Sequence, residues 1–110
     1  MSSGLKPTRK PPKKYHAVVY QTDGTLKEYT EPKAFFTLTW FLQQVGGFIE
    51  LIPLSNGRSL VVNEGGYDVY LDQRPINKAA SQAFPNQAQA YTVFSQGFHG
   101  TVIDVPNAIL

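Results

Sequence analysis

Cysteine is absent from the 110-residue chain, and disulfides, thiolate metal sites and thiol nucleophiles are excluded with it. Histidine is scarce. A zinc site would need His16 and His99 to converge with carboxylates such as Glu50 or Asp104, and nothing in their spacing requires that. No stretch approaches the roughly 18 consecutive apolar residues of a membrane-spanning helix. No apolar run follows the basic N-terminus, as a secretory signal would need. Asn-x-Ser/Thr acceptors are missing too. Together these absences predict a soluble, intracellular protein with no membrane contact, in a reducing compartment.

Catalytic signatures are equally thin. Gly46-Gly47 and Gly65-Gly66 are too short for phosphate loops, and neither opens a helix. A Ser95, His99, Asp104 triad can be assembled on paper, but no serine sits in a nucleophile-elbow motif. Neither an enzyme nor a cofactor or metal is expected.

What the chain does contain is one domain's worth of apolar residues and an uneven charge. Hydrophobic residues make up 42%, enough to close one core at this length. Residues 1–14 (MSSGLKPTRKPPKK) carry Lys6, Arg9, Lys10, Lys13 and Lys14 and no acid. Residues 15–110 hold the other five basic residues against all eight acids, a balance of −3. With three prolines and one large apolar residue, Leu5, the first 14 residues are expected to form a disordered basic arm. Such an arm is a candidate contact for nucleic acid or an acidic partner, or a solubilising leader.

The domain, residues 15–110, organises around residues 35–63. Asp23-Gly24 predicts a hairpin between strands at 15–20 and 25–29, the second an edge strand by its charges. Leu38, Phe41, Leu42 and Val45 fall at i, i+3, i+4 and i+7, the stripe of a core-facing helix. Thr37 is a candidate N-cap for a short helix, and Thr30 with Pro32 for a longer one with an irregular first turn. Gly46 or Gly47 should end the helix with a positive φ. A strand at 48–53 (FIELIP) turns at Asn56-Gly57 into 59–63 (SLVVN), whose unbroken apolar run reads as a central strand.

Residues 67–72 alternate like another strand. Residues 75–84 suit one or two helical turns and 85–89 a loop. Residues 90–94 and 100–105 have strand composition, and the last five should lie on the surface or fray. The sum is an α+β domain: one main helix packed on a mostly antiparallel sheet of five or six strands.

Among polar residues, Glu50, Arg58, Asn63, Glu64 and Arg74 are candidates for a polar pocket, with the arginines as anion partners. Turn and cap chemistry explains Asn63 and Glu64 equally well. A nucleotide signal is the small ligand such a pocket would suit. Tyr67, Tyr70, Tyr91, Phe94 and Phe98 could form a platform for bases, but Asp68 and Asp72 beside them would repel phosphate. Gly46, Gly47, Gly57 and Gly66 read as structural.

The run Leu38…Leu42-Gln43…Val45-Gly46-Gly47-Phe48-Ile49-Glu50, the hairpin, then Val62-Asn63-Glu64 with Gly66, resembles a family of small proteins. That family is known mainly from phages, plasmids and other viruses and is catalogued as domain of unknown function three-eight-four-six. The likeness spans residues 15–105 in order and is tight over 38–66. It implies a downstream Asn, here Asn77, and a closing strand beginning Gly100-Thr101-Val102.

It also implies a viral or mobile-element accessory protein with no known enzymatic activity, acting in the host cytoplasm or the virion. The expected partner is a protein (a second copy, or a virus or host protein), with nucleic acid through the arm as the alternative. The basic arm has no counterpart in the family's pattern.

Overall fold

Two hairpins and one late strand build the sheet of this computed structural model, which describes residues 12–64, 74–91 and 97–110. Lys14–Tyr20 (β1) pairs antiparallel with Leu26–Pro32 (β2), and Ile49–Pro53 (β3) with Arg58–Asn63 (β4). Val102–Pro106 (β5) lies between β1 and β4, antiparallel to both, giving the order β2-β1-β5-β4-β3. The first turn is held by Thr25 N–H donating to the Asp23 carboxylate at 2.8 Å. The second places Gly57 at φ 79°, where Asn56 Oδ1 accepts from Arg58 N–H at 3.2 Å. Glycine takes that left-handed conformation without a Cβ clash.

Each sheet face has its own cover. Ala17, Val19, Val61, Ile103 and Val105 pack with Phe36, Ile109 and with Phe41 and Val45 of the helix Leu38–Val45 (α1). Ile52, Leu60, Val62 and Val102 face the other way, against Phe98, Ala80 of Lys78–Ala83 (α2) and Ala88 of Pro85–Tyr91 (α3). Leu60, Val61, Val102, Ile103 and Val105 are wholly buried, so β4 and β5 are the double-sided centre.

Thr37 caps α1, its hydroxyl accepting from Trp40 N–H at 3.1 Å, and Gly46 ends it at φ 76°. The longer helix from Thr30 does not form. Sheet pairing carries β2 through Pro32, which is extended at φ −61° and ψ 158°, and a single 3₁₀ turn, Lys33–Phe35, follows. The α1 stripe is also narrower than its periodicity suggests: Phe41 and Val45 are buried, Leu38 at the first helical position is not. Phe36, just before the helix, is buried in the same core, while Phe35 stays exposed. Trp40 widens the buried face, edge-on to Tyr29, Phe36 and Phe41 at centroid distances of 5.4, 5.3 and 5.0 Å.

Three further expectations are corrected. Residues 85–89 are helical, because Pro85 stands where a helix needs no N–H donor and Gln and Ala favour helix after it. Ala90 and Tyr91 continue that helix instead of opening a strand. The last residues do not fray: Asn107–Ile109 form a 3₁₀ turn that buries Ile109 in the α1-side core. The sheet of the described residues is five-stranded and wholly antiparallel, with helices on both faces. The strand expected at 67–72 lies outside the described residues, as do residues 1–11 of the arm.

Candidate interaction surface

The two edges of the sheet differ in chemistry. β2 carries Lys27, Glu28 and Glu31, the first two exposed, charges that discourage further pairing. β3 (IELIP) carries one charge, Glu50, and its outer side is unpaired among the described residues. Alternation puts Ile49, Leu51 and Pro53 on the α1 side of the sheet, beside a groove of about 190 Å³. Phe36, Leu38, Phe41, Ile49, Leu51, Ile109 and Leu110 line it. Leu38, Leu51 and Leu110 are 63%, 46% and 44% exposed, an apolar patch with no charged side chain in its wall.

The walls are held in place by polar groups behind them. Asn107 N–H donates to Gly57 O at 3.0 Å, and buried Ser59 donates its hydroxyl to Asn107 Oδ1. Those bonds fasten the C-terminal turn, and so Ile109 and Leu110, to the β3–β4 hairpin. The Thr37 cap fixes the start of α1 and with it Leu38.

The five residues of the candidate polar pocket do not share one place. Arg58 opens β4 and donates Nε to Asp104 Oδ1 at 2.8 Å, and its Nη2 reaches His16 O at 2.9 Å and Asp104 O at 3.2 Å. This fork ties β4, β5 and β1 together. Tyr20 lies near it, its phenol pushed above the ordinary range by burial and then by the Asp104 carboxylate. His16 Nε2 lies 3.0 Å from Glu28 Oε1 on the exposed face of β1 and β2.

At the far end of β4, Asn63 Nδ2 and Arg74 Nη1 both donate to Val45 O, at 3.2 and 3.4 Å, covering the C-terminus of α1. Glu64 N–H donates to Phe48 O at 2.8 Å, closing the ladder. Glu50 points to the face opposite Asn63, with Oε2 buried and without a hydrogen-bond partner. Gly47 has Asn63 Nδ2 only 2.8 Å from where a Cβ would stand. Of the basic arm, Lys13 sits 5.3 Å from the Tyr15 ring centroid and Lys14 is the first residue of β1. Gly66 and the rings of Tyr67, Tyr70, Tyr91 and Phe94 lie outside the described residues.

Composition gave no sign of the buried polar hub at the α2 end. Asn77 is wholly buried, donating Nδ2 to Tyr20 O at 2.7 Å and Gly100 O at 2.9 Å, while Oδ1 accepts from Ala80 N–H at 3.0 Å. Ser81 bridges Asn77 O and Phe98 N–H. His99 is buried, and its Nδ1 donates to Arg74 O at 2.8 Å. No group of three metal-ligating side chains occurs among the described residues. No helix among them is long and apolar enough to cross a membrane. The chain matches no family model, no curated protein and no solved structure.

Proposed function

We propose that this chain is a non-enzymatic binding protein that holds another protein against β3 and the groove beside it. One observation carries the reading: among the described residues the sheet has one charged edge and one apolar edge, the apolar one flanked by exposed Leu38, Leu51 and Leu110. An unpaired strand offers backbone donors and acceptors, and a neighbouring groove takes alternate side chains, the mode of β-strand addition. The likeness of residues 38–66 to proteins of phages and plasmids favours an accessory role in a virus or mobile element, as a small part of a larger assembly.

A photoreactive side chain at Leu38, on the groove wall, tests this in cells expressing the full chain. Discrete protein adducts are expected. A second reading, nucleic-acid binding, is favoured by the five basic residues of 1–14. It predicts salt-sensitive, sequence-indifferent affinity that disappears when residues 1–11 are removed. No adduct from Leu38, together with nucleic-acid adducts from a probe at Lys10, would replace the first reading with the second.

A further inference from the structure

We infer that the occupant of the β3 edge is a second copy of this chain, paired antiparallel about a two-fold axis at Leu51. The inference rests on the protein-binding reading above and names its partner.

The hydrogen-bond parity of β3 selects the register. Phe48 O accepts from Glu64 N–H and Leu54 N–H donates to Arg58 O, so the even-numbered residues of this strand turn their backbone groups toward β4. By the alternation of an antiparallel ladder, Ile49, Leu51 and Pro53 turn theirs outward. Proline has no N–H, which leaves two outward donors, on Ile49 and Leu51.

Five symmetric registers, centred on residues 49 to 53, bring outward groups together. One centred on Ile49 leaves Leu51 N–H beyond the partner strand, and one centred on Pro53 leaves both donors there. One centred on Glu50 satisfies both donors but sets two carboxylates directly opposite, a destabilising pair. One centred on Ile52 puts Leu51 opposite Pro53 and leaves Ile49 N–H beyond the partner strand. The register centred on Leu51 exchanges both bonds between the two Leu51 residues and gives each Ile49 N–H the carbonyl of the other Pro53. Every outward donor is met, and Glu50 lies opposite Ile52. The same two-fold sets the exposed Leu51 side chains against each other on the groove face, where the Leu38 and Leu110 side chains of both copies extend the apolar contact. Self-complementarity of one patch is what a two-fold interface demands, and this strand has it. β2, with three charged side chains, lacks it.

Sedimentation equilibrium of the full chain, with Leu51→Lys alongside, tests the pairing. The wild type should show twice the chain mass and Leu51→Lys the single mass, with unchanged far-UV dichroism. Leu51→Cys supplies a second readout in a protein without other cysteines. Opposed Cα atoms of a hydrogen-bonded pair stand roughly 5.5 Å apart, within disulfide reach. Mild oxidation should therefore link Leu51→Cys into dimers, and a Lys27→Cys control on the other edge should stay single.

A wild type that is monomeric at every concentration, or a dimer indifferent to Leu51→Lys with Leu51→Cys unlinked, overturns the inference. If Leu51→Lys fails to fold, Leu51→Cys decides. A monomer whose Leu38 probe captures a different protein would end the self-pairing and leave the binding function standing. A monomer whose Leu38 probe captures nothing would end both.

Discussion

At the scale of single residues, Asn77 ties three separate segments of the fold together. Its amide meets two carbonyls from separate segments, Tyr20 at the end of β1 and Gly100 before β5, and its oxygen caps α2. A buried carbonyl stripped of its donor costs about 1–3 kcal/mol, and a lost cap about 1 kcal/mol. Asn77→Ala should therefore lower stability by about 3 kcal/mol or more, a large share of the ~5–15 kcal/mol that holds a domain. Urea denaturation with an unchanged slope would show it as a lowered midpoint. Asn77→Asp separates the two roles, since a carboxylate can cap Ala80 N–H but cannot donate to Tyr20 or Gly100. It should be no more stable than Asn77→Ala; wild-type stability in Asn77→Asp would mean that the donor bonds contribute nothing.

At the scale of elements, local signals were legible wherever a residue's conformation is set by its neighbours in sequence. Thr37, the Gly46 stop, the Asp23-Gly24 and Asn56-Gly57 turns and the buried run of β4 follow from caps, left-handed glycines and alternation. Pro85 was ambiguous, because the same residue breaks a helix or starts one. The groove was not legible. Among the described residues, Leu51 becomes an exposed residue on an edge strand only because β5 inserts next to β1 and β4, leaving β3 outermost, and no pattern within residues 48–53 encodes where a strand 50 residues later will sit.

The two glycines after α1 act by different means. Gly46 has open space around its Cβ position and a φ of 76°, so Gly46→Val should cost about 1–3 kcal/mol through backbone strain alone. Gly46→Asn, which tolerates that conformation, should recover most of the loss in a thermal melt. Equal destabilisation by Val and Asn would mean that φ is not the reason for glycine at position 46.

At the scale of the whole molecule, the two hairpins share no backbone pairing among the described residues, and β5 is the strand that lies between them. Val102, Ile103 and Val105 are wholly buried in the middle of the sheet, and β5 contributes to both faces. Without this strand, Ala17 and Val19 of one hairpin and Leu60 and Val61 of the other lose a common neighbour, and the Arg58–Asp104 fork loses its acceptor. An isolated two-stranded hairpin is marginal in water, so neither half has an independent folded state to fall back on.

Unfolding should therefore be a single transition. Trp40, the one tryptophan, reports on the α1 face through its contacts with Tyr29, Phe36 and Phe41, while far-UV dichroism follows the sheet and the helices. The two signals should trace one coincident curve against denaturant. A chain ending at residue 100 should show no cooperative transition by either probe. Separate midpoints in the full chain, or a cooperative melt in the shortened one, would mean that the hairpin and helix of residues 14–63 fold without the strand that joins them.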